Sequence, residues 1–209
     1  MVIKEIKIDK FPIVLISDVH CEIYKVRRIK SLYPHYKFIC LGDIVDLYCK
    51  DVRNKLTIQY FIDNDILTLE GNHDSHVSGV VNGNTILFLD NTNNIDIDYY
   101  KLPKHQGEYL KNLPRGFKLT LPDGKNYLLY HHFPLDLWGF IDKGKLTKEK
   151  FISDYNIDDT IESVIHGHLH QAFVEEFEGL NAKRISIGAV KFGEYAILDE
   201  SGVHFKKLN

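Results

Sequence analysis

The chain has 209 residues, with 26 Lys plus Arg against 29 Asp plus Glu, a net charge of 26 − 29 = −3. That length suits one domain with a full core, predicted over residues 1–209, and that charge excludes a strongly basic nucleic-acid binder. With 44% hydrophobic and 26% charged residues the composition is that of an ordinary globular protein, and no apolar run reaches the roughly 20 residues of a membrane span.

Val2 to Ile8 alternates apolar and charged residues like an edge strand and lacks the apolar centre of a signal peptide, so a soluble, cytoplasmic protein is expected. Pro12 to Ile16 is a short apolar strand ending in Ser17-Asp18. Tyr24 to Leu32 has helical spacing, and its Lys25, Arg27, Arg28 and Lys30 read as a solvated face. Phe38 to Leu41 is a second apolar strand, ended by Gly42-Asp43, and Val52 to Phe61 is a helix. Ile66 to Leu69 is a third strand, followed by Glu70-Gly71-Asn72-His73-Asp74; Thr85 to Leu89 is a fourth, and Gln106 to Leu113 a short helix. Phe117 to Leu121 and Tyr127 to Tyr130 flank an Asp123-Gly124 turn and predict a hairpin. Thr147 to Tyr155 is a helix with Thr147 as N-cap. Val164-Ile165 runs into His166-Gly167-His168, and strands follow at Ala172 to Phe177, Arg184 to Ile187, Tyr195 to Leu198 and Val203 to Lys207. Strands alternate with helices early and antiparallel strands dominate late, which predicts an α/β or α+β sandwich with sheets inside and helices outside. The cysteines, Cys21, Cys40 and Cys49, are odd in number and fit no zinc ribbon or disulfide framework, so they read as reduced thiols, with Cys40 in the core.

Five polar clusters each follow an apolar strand directly: Ser17-Asp18-Val19-His20, Gly42-Asp43-Ile44-Val45-Asp46, Gly71-Asn72-His73-Asp74, His131-His132 and His166-Gly167-His168-Leu169-His170. Ligands of open α/β sheets bind beyond the carboxyl ends of strands, so the clusters are expected on one rim. Gathered there, ionised Asp18, Asp43 and Asp46 would repel one another, and divalent cations would remove that repulsion while using the imidazoles. The mixed oxygen and nitrogen set suits Mn²⁺, Fe or Zn²⁺ better than Ca²⁺. An Asp at i and a His at i+2 project to the same side of an extended chain, so Asp18 with His20, and His168 with His170, could share an ion. Turn chemistry alone could explain Gly42-Asp43, and half-buried structural histidines could explain His131-His132; three imidazoles within residues 166–170 are harder to dismiss.

In this order the residues resemble the calcineurin-like metallophosphoesterase superfamily, whose pattern is D-x-H, G-D-x-x-D, G-N-H-D/E, an isolated His and G-H-x-H. The resemblance implies a four-layer α-β-β-α sandwich, with two mixed β-sheets flanked by helices. It also implies a cofactor of two divalent metal ions, Mn²⁺ first and Fe, Zn²⁺ or Ni²⁺ as alternatives. Asp18, His20, Asp43 and His170 would hold one ion; Asp43, Asn72, His132 and His168 the other. His73 would contact the phosphoryl group or the leaving oxygen, and Asp46 would orient His73. His132 is chosen because His132-Phe133-Pro134 fits the family's H-x-P, with His131 as the alternative; His166 is read as structural.

The implied activity is hydrolysis of a small phosphate mono- or diester by a metal-bridging hydroxide, with no membrane partner. Protein phosphatases of the family carry Arg after the second Asp of G-D-x-x-D and favour Glu at the fourth position of G-N-H-D/E; Leu47 and Asp74 stand there, which argues against a phosphoprotein substrate. A nuclease and a non-catalytic scaffold, as in a retromer subunit, are the alternatives. No basic stripe supports a nuclease, and the filled motif positions argue against a scaffold. Val77 to Asn84 and Asp90 to His105 read as covering loops, and Phe133, Trp138 and Phe140 as packing residues that could shape a pocket.

Overall fold

The computed structural model describes residues 3–46, 49, 51–81, 102–132 and 146–209. Its elements in order are β1 (Ile3–Lys7), β2 (Ile13–Ile16), α1 (Ile23–Leu32), β3 (Lys37–Cys40), α2 (Asp51–Asp63), β4 (Leu67–Thr68), α3 (Asn72–Val81), α4 (Lys104–Lys111), β5 (Gly116–Thr120), β6 (Asn126–Tyr130), α5 (Lys148–Tyr155), β7 (Ile161–His166), β8 (Ala172–Glu175), β9 (Lys183–Ile187), a 3-10 turn (Val190–Phe192), β10 (Glu194–Asp199) and β11 (Gly202–Lys207).

The strands form two mixed sheets, ordered β1-β5-β6-β7-β9-β8 and β11-β10-β2-β3-β4. Alternation along the strands explains why they stack. Ile13 and Leu15 of β2, with Ile39 of β3, turn one way and meet Phe117, Leu119, Tyr127, Leu129, Ile165 and Ile185 of the other sheet in a common core. The intervening Val14, Ile16, Phe38 and Cys40 turn the other way, beneath Val26 and Ile29 of α1, Ile58 and Phe61 of α2, Val77 of α3 and Leu110 of α4. On the far side, Leu128, Tyr130 and Val164 meet Phe151 and Tyr155 of α5. The result is helices, sheet, sheet, helix, a four-layer sandwich as expected. Each strand that is apolar on both faces thus lies between two packed layers.

Thr147 caps α5, its hydroxyl accepting from the Lys150 N–H at 3.2 Å. The residues after β4 differ from expectation: Asn72–Val81 is a helix, and Val77, read as the start of a covering loop, is fully buried within it. Polar Asn72, His73, Asp74 and Ser75 masked the helical period there. The second half is also less antiparallel than expected, since β6–β7 and β7–β9 both pair parallel. The basic run on α1 is partly occupied: Lys25 Nζ donates to the Lys191 carbonyl, and Arg27 and Lys30 lie over the rings of Tyr60 and Phe38. All three cysteines are free thiols, and Cys40 is buried. The strand at Thr85 to Leu89, the aromatic residues Phe133, Trp138 and Phe140, and the segment from Asp90 to Lys101 lie outside the described residues. No helix among the described residues is long and apolar enough to cross a membrane.

Candidate metal centre

Strands β2, β3 and β4 run parallel in one sheet, and β6 and β7 run parallel in the other. The five polar clusters follow their carboxyl ends and meet at one rim. There the chain continues the sheet pairing instead of leaving it. The N–H groups of Asp18 and His20 donate to the carbonyls of Gly42 and Asp43, each at 3.0 Å, which extends the β2–β3 ladder. The Gly167 N–H donates to the His131 carbonyl at 3.2 Å and extends β6–β7 in the same way.

The two central carboxylates are used alike. Asp43 Oδ1 accepts the His73 N–H at 2.8 Å, and Asp18 Oδ2 accepts the His168 N–H at 2.9 Å. One oxygen of each is therefore spent on anchoring, and the other faces the site. Asp18 Oδ1 lies 3.1 Å from His170 Nε2, and His170 Nε2 lies 3.0 Å from His20 Nε2. Asp43 Oδ2 lies 3.8 Å from His20 Nε2 on one side and 3.2 Å from His131 Nε2 on the other. Asn72 Oδ1 completes the second group, 3.0 Å from His131 Nε2 and 2.9 Å from His168 Nδ1.

Among the described residues, the ligand atoms of Asp18, His20 and His170, and those of Asp43, His131 and His168, each lie within 4.8 Å of one another, close enough to hold one ion. A third such group, His20, Asp46 and His73, is better read as a clamp. Asp46 Oδ2 is 3.2 Å from His20 Nδ1 and Asp46 Oδ1 is 3.5 Å from His73 Nδ1, so one carboxylate steadies both rings, which pack edge to face 4.7 Å apart.

Pairs of acceptor atoms facing each other this closely need cations between them, protons or metal ions. With protons alone the balance leans heavily on histidine. Burial pulls the His131 imidazole down, but the Asp43 and Asp18 carboxylates outweigh it and push it up to about 10. Burial raises the Asp18 and Asp43 carboxyls, yet the surrounding histidines bring both below the usual range. A divalent cation in each group would satisfy the same lone pairs with histidine neutral, so the donor set fits metal ions. His131 could hold such an ion: its Nδ1 donates to the Leu41 carbonyl at 2.7 Å, so a neutral ring would turn its Nε2 lone pair to the site.

The backbone route to this geometry differs from the extended chain that the spacing predicts. Asp18, His20, Asp43, His168 and His170 all have left-handed backbone, with φ of 53°, 44°, 54°, 67° and 53°. Paired Asp and His side chains meet because the chain turns sharply after each strand, not because alternate residues of a strand share a face. Each such non-glycine residue costs about 1–2 kcal/mol, which the surrounding hydrogen bonds must offset. Two glycines permit the close approach. A Cβ on Gly167 would overlap Ser17 Oγ, and one on Gly71 would overlap the Asp43 backbone nitrogen and carboxylate.

The rings of His131 and His168 each lie 5.7 Å from the His132 ring, and among the described residues His132 enters none of the three close groups. The alternation of β6 explains the difference: Tyr127 and Leu129 point between the sheets, and His131 continues that parity, whereas His132 continues that of Leu128 and Tyr130. The signal was thus present in the sequence. Asp74 received no role from the sequence, yet it fastens the rim. Its oxygens accept the N–H groups of Asp43, Ile44, Val45 and Gly71 at 2.8, 3.0, 3.2 and 2.9 Å, tying the β3 turn to the start of α3. His166, read as structural, accepts from the buried Arg184 and donates to the Gly167 carbonyl.

Solved structures share the fold. A metallophosphoesterase from Sphaerobacter thermophilus matches with a TM-score of 0.65 and 20% identity, over 96% of this chain and 89% of that one. The protein PH1004 from Pyrococcus horikoshii matches with a TM-score of 0.66 and 14% identity, over 95% and 88%. An archaeal phosphodiesterase matches with a TM-score of 0.52 and 16% identity, over 95% and 100%. No curated protein sequence matches the chain. The family model of the calcineurin-like phosphoesterase superfamily domain matches residues 11–200, which contain both sheets' rim strands and every candidate ligand, and the chain belongs to that superfamily.

Proposed function

We propose that the chain is a phosphoesterase that holds two divalent metal ions and hydrolyses a small phosphate mono- or diester. The observation that carries this reading is the position of Asp43 Oδ2, between His20 Nε2 at 3.8 Å and His131 Nε2 at 3.2 Å. One ion would be held by Asp18, His20, Asp43 and His170, and the other by Asp43, Asn72, His131 and His168. His131 takes the place first given to His132, because its Nε2 reaches Asp43 and Asn72 while its Nδ1 is engaged by Leu41. Mn²⁺ is the first choice of metal for this oxygen and nitrogen set.

Bound there, such ions supply a water activated at neutral pH and positive charge opposite the phosphoryl oxygens. The chain supplies the rest. Asp43 and Asp18 hold their free oxygens on fixed backbone, which keeps the charge arrangement preorganised. His73 stands beside His20 with its imidazole raised above its ordinary value: burial opposes, but Asp46 and Asp43 prevail. It therefore offers a proton or a hydrogen bond to the departing oxygen, a contribution of about 10²–10⁴ in rate. Asp46 keeps that ring in place.

The test is hydrolysis of a nitrophenyl phosphate monoester, its diester counterpart and single-stranded DNA, side by side, after chelation and after adding back Mn²⁺. Metal-dependent release of nitrophenol is expected. Hydrolysis that persists in excess chelator would refute the metal chemistry, and cleavage of DNA alone would make the chain a nuclease.

A further inference from the structure

Arg184 heads the fully buried side chains by size, although it carries a charge. It lies on β9 and its guanidinium is fully engaged on one side. Nη1 is 2.8 Å from Glu175 Oε2, Nε donates to His166 Nε2 at 3.0 Å, and the guanidinium carbon sits 5.2 Å over the Phe173 ring. Taking a guanidinium out of water costs several kcal/mol before pairing, and apolar residues often serve such positions as well or better. Ile185 and Ile187 on the same strand are examples of the apolar choice.

The hydrogen bonds run in one direction from this charge. Arginine has only donors, so His166 must accept at Nε2 and carry its proton at Nδ1. That Nδ1 donates to the Gly167 carbonyl at 2.9 Å, and the same carbonyl accepts the Leu169 N–H at 2.8 Å. The following residues, His168 and His170, have φ of 67° and 53°. Strained backbone of this kind persists only where its surroundings over-determine it.

We propose that Arg184 is a positioning residue: by fixing the tautomer of His166 it locks the Gly167 carbonyl, and so holds His168 and His170 in the left-handed backbone that aims both imidazoles at the metal ions. The inference rests on the metal reading above. It assigns the cost of a buried guanidinium to the shape of the site, not to the core.

Mn²⁺ binding, followed by calorimetry on the full chain, separates the two roles. Arg184→Leu alone strands the Nε2 of His166. The double variant Arg184→Leu with His166→Phe removes both polar partners together, a change that is often close to neutral for stability. Both variants are expected to bind Mn²⁺ about 10–100-fold more weakly, the range for loss of a group that orients a ligand. The thermal midpoint of the metal-free double variant is expected to recover most of what the single variant loses. A double variant with unaltered Mn²⁺ affinity would overturn the positioning role, whatever its stability. A parent chain that binds no Mn²⁺ would overturn the metal reading itself, and this inference with it, so the two failures are told apart.

Discussion

Asp43 Oδ2 and His131 Nε2 stand 3.2 Å apart on different sheets, the carboxylate at the end of β3 and the imidazole at the end of β6. The contact joins the two halves of the sandwich at the rim and marks where one candidate ion group meets the other. Three variants follow from it. Asp43→Asn is expected to lose bound metal and hydrolysis together, because the charge proposed to serve both ions is gone; full turnover with metals intact would contradict that proposal. His131→Ala is expected to weaken Mn²⁺ binding by more than the roughly 10–100-fold seen for supporting groups, and His132→Ala by less than that. Calorimetric titration of the two histidine variants decides between the adjacent imidazoles, and the reverse order would restore His132 as the ligand.

His73 tests the proton-donor role. Its side chain belongs to neither ligand group of the proposal, so His73→Gln should retain metal. Turnover should fall by about 10²–10⁴. Metal analysis with steady-state kinetics on the same sample checks both statements, and unchanged turnover would rule the role out.

Asp74 accepts four backbone N–H groups from residues 43, 44, 45 and 71. Asp74→Ala strands those four donors in a buried place, and each unmet buried donor is costly. A loss of about 3 kcal/mol or more is expected in denaturant unfolding, with loss of Mn²⁺ affinity because Asp43 sits on the freed turn. Stability within about 0.5 kcal/mol of the parent would show that the staple is dispensable.

His166 provides a pH dependence. Burial first, and then the Arg184 charge, lower its imidazole from an ordinary value of 6.5 to about 3. The folded chain therefore holds it neutral, while the unfolded chain protonates it below about 6.5. Its contribution to stability is complete above that value and declines as the pH falls toward 3, with a slope of up to about 1.4 kcal/mol per pH unit. The unfolding free energy of the metal-free parent should therefore fall more steeply between pH 6.5 and 4 than that of the double variant lacking both His166 and Arg184. Parallel curves would exclude the effect.

Much of the rim was legible in the residue order, because apolar strands and the turns that end them are local features. Asp18, Asp43 and Asn72 each follow an apolar run, and the structure brings them together as expected. The His131 choice was legible too, from the parity of Tyr127 and Leu129, but a motif spacing outweighed it. Helix α3 was not legible, since the residues that begin it serve the site and break the apolar period. Nor was the left-handed backbone at His20 or His170, since nothing local to a histidine demands a positive φ.

The amino-acid order alone determined the class of chemistry: which carboxylates, amide and imidazoles are available, and that each sits beyond a strand. It did so because strand ends and turn residues are set by neighbours a few positions away. Only the tertiary structure decided that His131 meets Asp43 across the two sheets, that Asp74 is spent on backbone amides, and that a buried arginine reaches the His168 turn through His166. Those outcomes depend on contacts between separate elements, on one sheet or across two, and no short-range rule encodes distances of about 3 Å between residues 18 to 90 positions apart.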